Sequence, residues 1–292
     1  MIFGTIEDCV FLKDELFVLC KEMRIMYTIN IKKQMCTGIF TINDDDPYRF
    51  FPMAGLGGKC FEWNGKIVVT PSVNNKLQIY DAHKAEWKDF IIDCISSEIH
   101  ISRIFVGTIE NNYLYFLGCH YPLLMKFNLQ NLTVERSDKP YRKYIDKDWK
   151  KQPYFYRYGN KRYDDEFQLY SAIDDEMFVI NLRNDNCFWS DRKRTIEESS
   201  ENCECIYREL EMGSLFKKRF KDGREVIQTN DGIIRISIPD ERLIEVNLFD
   251  EEKRMSKEIK ELLSSNKKKI FTENLMMNET QTIGLCEFIM MV

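Results

Sequence analysis

The sequence has few histidines, no long apolar run and no excess of basic residues. Its 292 residues include only three histidines, His83, His100 and His120, and these do not have the spacing of metal ligands. No apolar run approaches the roughly 20 residues that cross a bilayer. Basic and acidic residues number 42 and 47, which offers no basic face for nucleic acid and no polybasic membrane anchor. We therefore expect no metal site, no nucleic acid partner and no membrane partner.

Two motifs that are recognisable by spacing are also missing, the zinc-protease pattern HExxH and the nucleophile pattern GxSxG. The glycine-rich stretch Gly55–Lys59 lacks the spacing of a phosphate loop and opens an apolar strand where such a loop would open a helix. Asp44, Asp45 and Asp46 lack the alternation and the distal Glu of a calcium-binding loop. We expect no cofactor, and these observations favour a protein that is not an enzyme.

Cysteine is abundant, with ten residues. The N-terminal segment MIFGTIEDCV has no basic region followed by a long apolar core, so we expect no signal peptide. Without an export signal, buried free thiols are favoured over disulfides. Cys203 and Cys205 have no second close pair and no nearby histidine, so a zinc site is not expected there. These features predict a cytoplasmic protein.

Five segments of the chain share one alternating pattern that ends in Asn or Asp. Such strand ends suit a turn, because Asn and Asp side chains can bond to the nearby backbone. The segments are RIMYTIN, NKLQIYD, PLLMKFN, EMFVIN and RLIEVN, and they end at Asn30, Asp81, Asn128, Asn181 and Asn247. A second apolar strand begins 14 residues before each of these positions, at Leu16, Ile67, Leu114, Phe167 and Ile233.

Each unit also contains a turn-forming triplet and an earlier strand. The triplets are KDE, NGK, NNY, DDE and NDG, and the earlier strands are DCVFL, KCFEW, IFVGTI and REVIQT, with a less regular counterpart in 154–163. Asn, Asp and Gly suit tight hairpin turns because they tolerate positive φ. A weaker fourth strand is expected after each Asn or Asp.

The repeat length indicates the architecture. The five Asn or Asp positions lie 51, 47, 53 and 66 residues apart. Four short strands repeated about every 50 residues are typical of the blades of a β-propeller. A β-sandwich or a barrel does not require the same offset in every unit. We therefore predict an all-β fold, a β-propeller of five four-stranded blades over residues 1–257 with a short helical and apolar tail at 258–292.

Residues 192–222 leave the number of blades open. Ile206, Leu210 and the pair Leu215–Phe216 suit a short amphipathic helix in this stretch. The alternative is a sixth, degenerate blade.

The C-terminal tail differs in composition from the repeats. Met255, Ile259 and Leu262–Leu263 form one helical stripe, and the last eleven residues, TIGLCEFIMMV, are nearly all apolar. We expect the tail to pack on the propeller. The alternative is an apolar end that docks a partner or a second copy.

One unit resembles a known family of repeats. Tyr80 and Trp87 are separated by six residues, and the double glycine of GLGG precedes them at 55–58. This spacing resembles the kelch repeat, although kelch repeats place the glycine pair nearer the end of the second strand. The chain thus resembles a degenerate kelch-type β-propeller over about residues 5–257, and the resemblance implies a structural role for both aromatic residues.

Two places are candidates for ligand or partner binding. His120 and Tyr121 lie in the connection between the second and third strands of the third unit, and such connections line one end of a propeller channel. The segment 139–163 alternates tyrosines with lysines and arginines, a composition that can stack on sugars or bases and that recurs in binding hot spots. Its candidate residues are Trp149, Tyr154, Tyr156 and Arg157.

The leading functional hypothesis is a non-enzymatic scaffold that binds another protein through its loops. The alternative is a propeller enzyme or sensor that binds a carbohydrate or another polar ligand at the channel mouth. Fold analogy alone does not separate the two.

Overall fold

The computed structural model describes residues 3–20, 25–41, 58–71, 76–92, 105–118, 124–138, 160–171, 176–190, 192, 203–207 and 213–261. Nearly all of the regular structure in these ranges is β-strand. None of the helices within these ranges is long and apolar enough to cross a membrane.

The strands form four antiparallel sheets. The first sheet contains β1 (Ile6–Leu12), β2 (Glu15–Cys20), β3 (Ile25–Asn30) and β4 (Met35–Thr41) in that order. The second contains β5 (Cys60–Trp63), β6 (Lys66–Val69), β7 (Lys76–Asp81) and β8 (Glu86–Ile91). The third contains β9 (Phe105–Glu110), β10 (Tyr113–Gly118), β11 (Leu124–Asn128) and β12 (Thr133–Asp138).

The fourth sheet has nine strands and combines two units of the repeat. It contains β13 (Lys161–Arg162), β14 (Glu166–Tyr170), β15 (Met177–Asn181), β16 (Cys187–Ser190), β17 (Glu204–Tyr207), β18 (Ser214–Arg219), β19 (Glu225–Thr229), β20 (Ile233–Ser237) and β21 (Ile244–Asn247). Their order is β16-β15-β14-β13-β17-β18-β19-β20-β21, so β13 and β17 join the two halves.

The predicted repeat is confirmed in its strands. Asn30, Asp81, Asn128, Asn181 and Asn247 are each the last residue of a strand. The second strand of each unit begins at the predicted residue or one residue before it, as β2, β6, β10, β14 and β20 show.

The turn that follows each of these residues is also the same in the first four units. The side-chain oxygen accepts hydrogen bonds from backbone N–H groups two or three residues further on. Four residues after the Asn or Asp, the backbone adopts positive φ, at Gln34, Ala85, Leu132 and Asp185. A fourth strand then follows, as predicted.

The fifth unit departs from this pattern. Asn247 accepts hydrogen bonds from the N–H groups of Phe249 and Asp250 in the same way, but it caps the helix α1 (Leu248–Arg254). The prediction of a strand after Asn247 is therefore wrong. Residues 256–261 are helical as well, and Met255 and Ile259 are buried as the predicted stripe requires. Leu262–Leu263 and the apolar end lie outside the described residues.

The helix suggested for residues 192–222 is wrong where the structure describes that stretch. Ile206 lies in β17, and Leu215 and Phe216 lie in β18. These strands pair with each other and with the neighbouring strands β13 and β19.

Buried apolar clusters connect each sheet to the next. One cluster lies between the first and second sheets, another between the second and third, and another between the third sheet and β14–β16. The largest cluster joins β1–β4 to β18–β21 and the C-terminal helical residues. Tyr80 and Trp87 have ring centroids 5.0 Å apart and pack on the cluster between the first two sheets. Their structural role in the repeat stays a prediction, which this contact supports.

Candidate functional site

The predicted binding residues stay predictions. His120, Tyr121, Trp149, Tyr154, Tyr156 and Arg157 all lie outside the described residues. His83 is exposed in the turn after β7. The most distinctive chemistry of the described residues lies among buried and half-buried charged residues that sequence reasoning missed.

Seven charged residues come together on or beside the strands β1, β5, β9, β13, β17 and β18. We call this group the inner charge cluster; its members are Glu7, Asp8, Lys59, Glu110, Arg162, Glu204 and Lys218. Acidic and basic members alternate from one strand to the next. Buried charges of this kind are tolerated only when they are paired or hydrogen-bonded.

Asp8 of β1 is buried and makes contacts on two sides. Its carboxylate accepts hydrogen bonds from the backbone N–H groups of Cys9 at 2.8 Å and Cys60 at 3.0 Å. It also accepts one from the ammonium of Lys218 at 3.0 Å. Asp8 therefore contacts both the start of the second sheet and the strand β18.

Lys218 of β18 is almost completely buried, with 2% of its side chain exposed. Its ammonium donates to Asp8 and, at 2.9 Å, to the carbonyl oxygen of Cys9, and it lies 3.5 Å from the carboxylate of Glu204. Burial alone would lower the pKa of this lysine, but the carboxylates of Asp8 and Glu204 outweigh it and raise the pKa. Lys218 therefore stays charged inside the protein.

Two further pairs complete the cluster. Glu7 and Lys59 are both buried and lie 3.7 Å apart. Arg162 of β13 is paired with Glu110 of β9 and donates through Nε to the hydroxyl of Thr108 at 3.0 Å. Desolvation lowers the pKa of Arg162 while Glu110 opposes that effect. These pairs connect β1 to the second sheet and β13 to the third sheet.

The cluster encloses little free space. The cavity at this place is about 30 Å³ and is lined by residues that include Asp8, Lys59, Arg162, Glu204 and Lys218. That volume holds about one or two water molecules. Among the described residues, the inner charge cluster thus leaves little room for a ligand.

A larger groove lies at the outer edge of the first sheet. It has a volume of about 360 Å³ and is lined by residues of the turn before β4, of β4 itself and of the C-terminal helical segment. Two lining residues, Cys36 and Arg254, are joined by a hydrogen bond from Arg254 to the carbonyl oxygen of Cys36, and the N–H of Cys36 donates to the carboxylate of the neighbouring Glu251. Lys33 and Glu258 are exposed on its two walls.

Burial makes the cysteines near the inner charge cluster and the groove poor nucleophiles. The seven described cysteines are free, and six of them are buried. Burial raises the pKa of Cys36 to about 12, with a further contribution from Glu251. Burial also raises the pKa of Cys9 and Cys60. Raised pKa values disfavour the thiolate, so these residues are structural rather than nucleophilic.

Comparison with known proteins identifies structures but no family. No protein-family model matches the sequence, and no curated protein matches it. Similar solved structures include U3-55K, with a TM-score of 0.44 and 8% identity over 80% of this chain and 61% of that chain. The WD40 repeats of RRP9 have a TM-score of 0.44 and 7% identity over 82% of this chain and 61% of that one.

A third similar structure is the β-propeller domain of Cps50 (Swd1) from Myceliophteria thermophila. It has a TM-score of 0.44 and 8% identity over 81% of this chain and 67% of that chain. This chain spans about three fifths of the length of U3-55K and of the RRP9 structure.

Proposed function

We propose that this chain is a five-bladed β-propeller that serves as a rigid scaffold for binding other proteins. In this proposal the first three sheets are blades one to three, and the nine-stranded sheet holds blades four and five. The ion pair of Lys218 with Asp8 closes the ring by joining the last blade to the first. The kelch type of the blades is part of the proposal and is supported by the contact of Tyr80 with Trp87.

The occupied inner charge cluster is the observation that carries the scaffold role. Small-molecule sites usually have volumes of about 300–1,000 Å³, at least ten times the roughly 30 Å³ at the cluster. Within the described residues, the centre is therefore built for rigidity. A rigid centre leaves binding to the outer edges and connections, where the groove beside β4 is open. A sheet edge next to a helix suits an extended peptide from a partner.

The cytoplasm is the proposed location. It is supported by the seven free cysteines of the described part, because free thiols persist in a reducing compartment.

Affinity capture with matched variants tests the scaffold role. Lys33 and Lys84 are both exposed, and both are the third residue after the Asn or Asp of their unit. Only Lys33 lines the groove. We expect the wild type and Lys84→Glu to recover the same specific partner proteins in similar amounts. Lys33→Glu should recover at least threefold less of them. The scaffold role would be contradicted if the wild type recovered only the proteins that an unrelated propeller recovers. Equal recovery by Lys33→Glu and Lys84→Glu would show that partners do not bind in the groove.

A further inference from the structure

The groove beside β4 runs along the edge of a strand. Successive residues of a strand point to opposite faces of its sheet, yet the groove is lined by five consecutive residues, 35–39. A groove that touches both faces follows the strand edge between them. β4 is the last strand of the first sheet, and its outer side pairs with no other strand in the part of the chain that the structure describes. This edge can therefore accept a further strand.

The helical segment covers only a short length of this edge. Glu251 and Arg254 bind the N–H and the carbonyl oxygen of a single residue, Cys36, near the start of β4. Beyond Cys36, the half-buried residues Gly38 and Ile39 still line the groove. Room for main-chain pairing thus remains along the rest of β4.

Much of the lining of the groove is apolar. Met35 and Ile39 contribute from β4, and Met255 contributes from the helical segment. Ile39 and Met255 also belong to or pack against the largest core cluster. An apolar strand laid along β4 would therefore extend the hydrophobic core outward, and burial of its side chains would favour binding.

The charged residues of the groove favour one acidic group on a particular side. The guanidinium of Arg254 is already paired with the carboxylate of Glu251. Lys33 is exposed on one wall and Glu258 on the other. A carboxylate on an occupant is attracted to the Lys33 wall and repelled from the Glu258 wall.

Residues 282–292 of this chain have the composition that the groove favours. We call them the apolar segment; their sequence is TIGLCEFIMMV. Several of them are β-branched or aromatic and suit a strand, namely Thr282, Ile283, Phe288, Ile289 and Val292. Glu287 is the one charged residue among the eleven. An apolar stretch with a single acid matches an apolar groove with an exposed lysine on its wall.

The chain can bring the apolar segment to the groove. Glu258 lines the groove, and the helical residues continue to Glu261. Residues 262–281 then precede the apolar segment, and an extended stretch of this length spans up to roughly 65–70 Å. β4 extends over only about 24 Å. The linker thus reaches either end of β4, and the tether raises the effective concentration of the segment to about the millimolar range.

We propose that the apolar segment binds in this groove as an added strand beside β4, with Glu287 facing Lys33. Main-chain hydrogen bonds to β4 and burial of apolar side chains hold it there. The consequence for partners rests on the proposed scaffold function: a partner protein that binds in the same groove must displace the apolar segment. The chain thereby regulates access to its own groove.

Hydrogen exchange of the full chain tests the docked segment. Phe288→Pro combined with Ile289→Pro removes backbone donors on both sides of the segment, since donors alternate along a strand. Exchange in β4 should become at least about tenfold faster, as expected when a strand loses its pairing. β8, the last strand of the second sheet, should exchange at the same rate in both proteins. Circular dichroism checks folding, and an unchanged β4 rate in the folded variant overturns the proposal.

A charge exchange tests the contact of Glu287 with Lys33. Lys33→Glu should accelerate exchange in β4 about threefold, and the further change Glu287→Lys should restore the wild-type rate. Lys84→Glu, at the equivalent position of the second unit, should leave the β4 rate unchanged. Restoration would separate the contact from any local effect of Lys33 on its own turn. Equal acceleration with and without Glu287→Lys would overturn this contact.

Affinity capture separates this inference from the scaffold role. The double proline variant should recover at least about threefold more partner protein than the wild type, because the apolar segment no longer competes for the groove. Equal recovery, together with faster exchange in β4, would overturn the regulation. Recovery of no specific partner, with β4 exchange changed as expected, would overturn the scaffold role and leave the docked segment in place. Unchanged β4 exchange with partners recovered would overturn the docked segment and leave the scaffold role intact.

Discussion

The carboxylate of Glu251 accepts a hydrogen bond from the backbone N–H of Cys36 at 2.8 Å, across 215 positions of the chain. Cys36 lies on β4, the outer strand of the first sheet, and Glu251 lies on α1. Arg254 of the same helix donates to the carbonyl oxygen of Cys36. The helix thus satisfies both backbone groups of Cys36, one residue of a strand whose outer edge is otherwise open to another chain.

Removal of this carboxylate should destabilise the protein. Glu251→Ala leaves the buried N–H of Cys36 without its acceptor, which costs about 1–3 kcal/mol. Urea unfolding measures the loss. Glu258→Ala, an exposed position seven residues further on, is the control and should change stability by less than about 0.5 kcal/mol. Equal losses in the two variants would show that the contact with Cys36 does not stabilise the fold.

The cap at Asn247 should be needed for α1. Its side-chain oxygen accepts from the N–H groups of Phe249 and Asp250. Asn247→Ala should cost about 1 kcal/mol, and Asn247→Asp should restore most of it, because Asp is also a good N-cap residue. Urea unfolding followed by circular dichroism checks both values. A loss that Asp does not restore would mean that the cap hydrogen bonds are not the cause.

Stability should fall at alkaline pH through Tyr115. Burial and the hydrogen bond that its hydroxyl donates to Asp185 raise the pKa of Tyr115 in the folded protein. Its stabilising effect is therefore complete below the unfolded pKa of about 10 and is lost as pH rises above it. Tyr115→Phe should make the urea midpoint fall less steeply between pH 9 and 11. A slope equal to that of the wild type would contradict this account.

The thiols should differ in reactivity according to burial. Cys9, Cys36 and Cys60 are buried with raised pKa values, whereas Cys187 is only partly buried. In native protein at pH 8, iodoacetamide should modify Cys187 at least tenfold faster than these three. Mass spectrometry of peptides gives the rate at each residue, and the four should react alike in urea. Rapid modification of Cys36 in the native protein would show that the first sheet opens at β4.

The strands were predictable because their signals are local. Alternation and a terminal Asn or Asp are properties of a few adjacent residues, and the structure places β2, β6, β10, β14 and β20 within one residue of their predicted starts. The helix after Asn247 was not predictable from the same cap. The cap geometry is shared by hairpin and helix, and the choice depends on the distant contacts of Glu251 and Met255 with the first sheet.

The inner charge cluster was not predictable for a similar reason. Lys217 and Lys218 have the composition of a solvated surface, and the burial of Lys218 depends on Asp8, which is 210 positions away. A signal did exist in the acidic pair Glu7–Asp8 at the start of an otherwise apolar strand. Its partners could not be named, because pairing between sheets is not encoded in the spacing of one segment.

The pair of Asp8 and Lys218 tests most directly whether the last strands close onto the first sheet. Urea unfolding of Asp8→Asn, Lys218→Met and the double variant forms a double-mutant cycle. Each single change leaves one buried charged group without its oppositely charged partner and should lower the free energy of unfolding by about 3–5 kcal/mol. The double variant should lose at least about 2 kcal/mol less than the two single losses combined. Losses that add to within about 0.5 kcal/mol would contradict the proposed closure of the ring through this pair.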